Sequence, residues 1–150
     1  MSRLTAGFLP LLLCGCGFFA GPRPELTQEI EAVAFAERIQ VFYSALENLP
    51  LNALVTFKSR ELRGFFRDER AFSDYYAAMA GELRDASFKN ARAKRVEIQE
   101  FHFDGPGRAI VDFVMVGDHF RALQFWDREL ARRDTWQQVD GVWLISPQKL

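Results

Sequence analysis

Asp134-Thr135-Trp136-Gln137-Gln138-Val139-Asp140-Gly141-Val142-Trp143-Leu144-Ile145 decides the fold class of this chain. Asp-Gly between two runs of β-forming residues is a strong signal for a two-residue hairpin, because both central residues of that turn need positive φ. Pairing Val139 with Val142 sets Trp136 opposite Ile145 and Gln138 opposite Trp143. Those cross-strand aromatic contacts hold the register.

Strand character extends upstream. Arg108 to Val116 places Ile110, Val114 and Val116 on one face and Val111, Phe113 and Met115 on the other, so both faces are apolar and the strand is expected at the centre of a sheet. Asp104-Gly105-Pro106-Gly107 before it is a turn. Val96-Glu97-Ile98 and Phe101-His102-Phe103 alternate in opposite phase, which a bulge in a bent strand produces. His119 to Trp126 is expected as extended chain, either a new strand after Gly117-Asp118 or a bent continuation of the previous one.

Before Phe88 the period changes from two to helical. Phe35, Ile39, Phe42, Leu46 and Leu49 recur at helical spacing behind Thr27, a candidate cap, with Glu29 and Glu31 suited to the positive end of the dipole. This first helix is expected to run to about Asn48, where Pro50 stops it and can open a short second helix through Leu54 and Phe57. Asp68 is a candidate cap for a third helix, whose stripe is Phe72, Tyr75, Tyr76, Met79, Ala80 and Leu83. Leu62 to Arg67 reads equally as a short strand or a helical turn.

Helices followed by consecutive antiparallel strands make an α+β fold. A bent, bulged sheet can curl around amphipathic helices as a cone. The 150 residues leave room for one domain, and fifteen phenylalanines give it an aromatic core. The formal charge is −1, so no global field draws in nucleic acid. The one basic cluster, Arg92-Ala93-Lys94-Arg95, reads as the solvated start of a strand, with a nucleic-acid or lipid-headgroup site as the lesser alternative. The run from Arg60 to Arg70 mixes signs and reads as a solvated face or the rim of a protein interface. No cysteine follows Cys16 and only His102 and His119 are present, so neither a disulfide nor a metal site is expected in the domain.

The order of elements, with Phe42-Tyr43-Ser44-Ala45-Leu46 in the first helix and Trp136-Gln137-Gln138-Val139-Asp140-Gly141-Val142-Trp143 at the end, resembles the nuclear transport factor 2-like (SnoaL-like) superfamily. The resemblance implies one cone-shaped domain over residues 26–150, with N-terminal helices packed in a curved antiparallel sheet. Its members include polyketide cyclases, ketosteroid isomerases, transport adaptors and membrane-tethered secretion-system subunits, so the fold leaves function open. Enzymes of that kind use an acid or base inside the cone with a tyrosine or histidine to polarise a carbonyl. Asp112, His102, His119, Tyr75 and Tyr76 are the candidates here for such a pocket. A carboxylate among apolar neighbours has a raised pKa and acts as a base. In the plainer reading Asp112 faces solvent or pairs with Arg108 or Arg121, His102 sits on an edge and the tyrosines are helix core. No nucleophile motif or phosphate-binding glycine loop is present.

The first 25 residues read separately. Arg3 precedes the apolar run Phe8-Leu9-Pro10-Leu11-Leu12-Leu13, far short of the roughly 20 residues that span a bilayer, so it reads as a cleavable signal segment. Leu13-Cys14-Gly15-Cys16 resembles the lipobox of bacterial lipoproteins. Gly15 is the small residue that must precede the cut, which selects Cys16 over Cys14 as the lipid attachment residue. The resemblance implies a signal peptide over 1–15, a lipid-anchored tether over 16–25, irregular up to Glu25, and several acyl chains on Cys16, palmitate among them, enough for stable anchoring. It places the domain outside the cytoplasm on the cell membrane or, since Gly17 rather than aspartate follows Cys16, on the outer membrane.

The expected function is therefore an envelope lipoprotein whose domain is a non-catalytic binding or assembly module for a protein partner or an apolar molecule, with no cofactor. The alternative is a small-molecule enzyme of the cyclase or isomerase type using the cone cavity.

Overall fold

The computed structural model describes residues 24–121, 123–124 and 126–147. The expected signal segment, Cys16 and the tether up to residue 23 lie outside the described residues.

Helix α1 (Pro24–Leu46) starts at Pro24 rather than behind Thr27, so Pro24 and Glu25, expected in an irregular tether, are helical and Thr27 is inside the helix. Proline suits a first turn because its missing N–H would have no partner there. The helix ends at Leu46, and Asn48 takes a left-handed φ of 61°, which asparagine tolerates. The Asn48 N–H donates to the Ala93 carbonyl at 2.7 Å. Pro50 opens no helix. Helix α2 (Leu54–Phe57) starts behind Ala53, while the Pro50 carbonyl accepts from the Thr56 hydroxyl at 2.9 Å.

Both readings of Leu62 to Arg67 hold in part. Helix α3 (Arg60–Arg63), capped by Ser59, covers its start, and Phe66 then forms a parallel bridge with Ile145. Helix α4 (Glu69–Asp85) is capped as expected by Asp68, which accepts from the Ala71 N–H at 2.8 Å. It buries Phe72, Tyr75, Met79 and Leu83.

The strands β1 (Arg95–Phe103), β2 (Arg108–Asp118), β3 (Asp127–Val139) and β4 (Val142–Ser146) form one antiparallel sheet in the order β1-β2-β3-β4. The fold is α+β, and β2 lies inside the sheet as its two apolar faces required. The register between β1 and β2 slips between Ile98 and Glu100, where the phase change placed a bulge. In the last hairpin Val139 pairs with Val142, Trp136 with Ile145 and Gln138 with Trp143, and Asp140 and Gly141 carry φ of 51° and 79°.

None of the described residues between His119 and Trp126 belongs to a strand. β2 ends at Asp118, His119 makes one isolated bridge to Phe88, and the chain turns, with the Gln124 N–H on the Arg121 carbonyl at 3.1 Å, before β3 begins at Asp127.

The helices cover one face of the sheet. Ala109, Val111, Phe113 and Met115 of β2 are buried beneath them, while Ile110, Asp112 and Val114 on the other face are half-buried. Phe35 of α1 packs its ring on Phe101, Phe103, Trp136 and Trp143 at 4.7–5.8 Å. Two main-chain anchors hold β4 against the first half of the chain: the Ile145 N–H donates to the Phe65 carbonyl at 2.8 Å, and the Arg38 guanidinium donates to the Trp143 carbonyl. Among the described residues no helix is long and apolar enough to cross a membrane.

Gly117 near the end of β2 has no room for a side chain. A Cβ there would lie 2.7 Å from the Arg92 carbonyl oxygen and 2.8 Å from the Phe88 ring. Gly117→Ala is expected to destabilise the domain by about 1–3 kcal/mol, read as a lower urea midpoint with unchanged m-value. An unshifted midpoint would show that the 3-10 turn at Lys89–Ala91 moves away freely.

Candidate functional site

Along β3 every second side chain turns toward the helices, which puts Arg132, Asp134 and Trp136 in one row on the inner face. Asp134 is 3 % exposed. Its Oδ2 accepts from the Tyr43 hydroxyl of α1 at 2.9 Å and the Tyr75 hydroxyl of α4 at 2.7 Å. Its Oδ1 lies 3.9 Å from the Arg132 guanidinium. The Trp136 Nε1–H donates to the Tyr43 oxygen at 3.4 Å. Arg132 also reaches Glu82 at 3.4 Å and lies 5.3 Å from the centre of the Tyr75 ring.

Burial, which disfavours the charged form, raises the Asp134 pKa, against the opposing pull of Arg132 and the two tyrosine hydrogen bonds. Tyr43 and Tyr75 are pushed well up, first by burial and then by the nearby Asp134 charge. Both phenols therefore stay protonated and act as donors. Every buried side-chain polar atom among the described residues has a hydrogen-bond partner, so the network is closed.

The space beside this network is filled. Phe42, Phe66, Phe72, Tyr75 and Met79 line a void of about 10 Å³, roughly the limit for a single water. No small-molecule substrate fits there without the aromatic wall opening. The larger hollows are open clefts, one of about 860 Å³ between the start of α1 and the turn at Gly105-Pro106-Gly107.

The five expected pocket residues do not converge. Tyr75 belongs to the buried network. The Tyr76 hydroxyl donates to the Ala53 carbonyl at 2.9 Å and ties α4 to α2; burial raises its pKa. His102 is exposed on the edge strand β1. Asp112 sits on the sheet face away from the helices, bound through both oxygens by Arg133 at 2.7 and 2.8 Å. That hydrogen-bonded pair holds its carboxyl below the usual range, so the expectation of a raised pKa and a base is corrected. The partner is Arg133, directly opposite in register, not Arg108 or Arg121. His119 accepts the Arg121 N–H on Nδ1 at 2.9 Å and stacks on Phe120.

Comparison of the chain with protein-family models, with curated proteins and with solved structures found no match.

Tyr43 and Asp134 escaped the sequence reading. Stepping back by twos from the aromatic Trp136 would have found Asp134 on the inner face. Among the described residues no cluster of histidine, aspartate or glutamate could hold a metal ion.

Proposed function

We propose that this chain is a bacterial envelope lipoprotein, anchored through acylated Cys16, whose domain is a nuclear transport factor 2-like cone serving as a non-catalytic binding or assembly module. The observation that carries the non-catalytic half is the filled interior: a void of about 10 Å³ beside a network in which no buried side-chain polar atom among the described residues lacks a hydrogen-bond partner. A protein partner is favoured over an apolar small molecule for the same reason. The anchor rests on Leu13-Cys14-Gly15-Cys16 after a charged and apolar start, and the helices on one face of a bulged antiparallel sheet support the cone.

Mass spectrometry of the mature N-terminus tests the anchor. It is expected to show Cys16 carrying acyl chains, and Cys16→Ser is expected to release the protein from membranes or leave its leader attached. An unmodified Cys16 in the native envelope overturns the anchor. The enzyme alternative needs the aromatic wall to open, and a turnover that Tyr75→Phe abolishes without loss of fold would establish it over the binding module.

A further inference from the structure

At the end of the sheet where β2 turns into β3, three large apolar side chains stand in water: Phe120, Leu123 and Trp126 are 55 %, 84 % and 59 % exposed. The tip is built onto the rest of the domain. The Phe120 N–H donates to the Ser87 carbonyl at 3.0 Å, His119 bridges to Phe88, and Arg128 donates to the Ala86 carbonyl at 3.0 Å. These contacts bring the segment around Lys89, Arg92 and Lys94 alongside, and the Arg92 carbonyl abuts Gly117.

The charge at this end differs from that of the whole chain. Lys89, Arg92, Lys94, Arg121 and Arg128 gather there against Asp118 and Asp127, both of which Lys94 holds, at 2.5 and 3.9 Å. Five cations against two carboxylates leave an excess of three positive charges, in a chain whose formal charge is −1. The nearby Arg84 and Asp85 neutralise each other at 3.2 Å. Arg121 lies over the Phe120 ring at 5.4 Å, so cation and ring are presented together.

We infer that this tip docks on an anionic lipid surface, with Phe120, Leu123 and Trp126 entering the headgroup boundary and Lys89, Arg92 and Arg121 meeting the phosphates. Tryptophan and phenylalanine suit that boundary because their rings accept one apolar and one wet side. Each cation near an anionic surface strengthens binding about fivefold. A protein interface of ordinary size buries about 800 Å² on each partner, more than a short loop presents. A bilayer needs only protruding apolar groups with a basic rim.

The inference stands apart from the anchor at Cys16. α1 begins beside the β1–β2 turn and ends where Asn48 meets Ala93, so the start of α1 and the tip lie toward opposite ends of this 23-residue helix, which is about 35 Å long.

The full chain with Cys16→Ser, which cannot be acylated, is mixed with vesicles of phosphatidylcholine alone or with added phosphatidylglycerol, and the contribution of the tip is read from the difference between this parent and tip variants that share its N-terminal segment. Trp126 is the reporter, because Trp136 and Trp143 are already buried. Its emission is expected to shift to the blue only on the anionic vesicles and to return with salt. Phe120→Ser combined with Leu123→Ser is expected to weaken sedimentation with those vesicles at least tenfold at an unchanged melting temperature, and Lys89→Glu with Arg121→Glu by a similar factor. Equal binding of parent and variants, or no blue shift, overturns the inference. So does a result in which the variants lose a co-purifying protein while vesicle binding is unaltered, since the tip would then be a protein-docking surface.

Discussion

Trp136→Ala is expected to remove about 3–5 kcal/mol of stability, roughly a fifth or more of what a domain commonly has. The side chain is fully buried and sits edge-on to Phe35, Phe42 and Phe65 with ring centres 5.6–6.4 Å away. Those rings come from α1 and from the chain after α3, so the cavity left by alanine would face both layers and could not be closed by one side-chain rotation. The indole also donates to Tyr43, and alanine removes that donor. Urea unfolding followed by circular dichroism measures the loss. Trp126→Ala is the control, expected to stay within about 0.5 kcal/mol because that ring is largely in water. If Trp136→Ala cost less than about 1 kcal/mol, the helices would not be packed on the sheet as described.

Asp134→Leu is expected to cost about 3–5 kcal/mol, because it leaves the Tyr43 and Tyr75 hydroxyls without an acceptor and Arg132 with one fewer counter-charge in a dry site. Asp134→Asn keeps an oxygen for both phenols and should cost clearly less. The two variants also separate charge from hydrogen bonding through pH. The folded-state pKa of Asp134 is raised above its ordinary value of 3.8, so the folded protein holds this proton more tightly than the unfolded one. The associated stability is full below the ordinary value and is lost as pH rises through the raised one. Wild-type stability minus that of Asp134→Asn should therefore be larger in acid than at neutral pH. A difference that grows toward neutral pH would mean that Arg132 and the two phenols outweigh burial.

Much of this architecture was legible where side-chain alternation coincides with burial. The Asp140-Gly141 turn, the register beside it, the slip after Ile98 and the Asp68 cap each follow from a local rule, and each is present. Legibility failed where an inward position is polar. Between Asp127 and Asp134 the residues facing the helices include Arg128, Arg132 and Asp134, so β3 looks like a charged surface segment although it has the full length of a central strand. The same disguise hid the buried network. Of the five residues expected in a pocket, only Tyr75 joins it, because the apolar neighbours of Asp112 lie beside it along β2 rather than over it. The loop from His119 misled in the other direction, since an aromatic run suggests a strand even where no layer covers it.

The tie between β4 and the first half of the chain governs the order in which this protein can mature. Phe35 needs Trp136 and Trp143 to cover it, and the Phe65 carbonyl and the Phe66 bridge find their partner across the fold only at Ile145. A ribosome adding residues from the N-terminus therefore extrudes two long helices with their aromatic faces bare, and nothing completes the core until β4 has emerged. The chain must be kept apart from its neighbours until β4 has emerged, and it stays threadable for as long. A stop codon before Val142 would leave a product that chaperones hold or proteases clear, rather than a smaller folded domain.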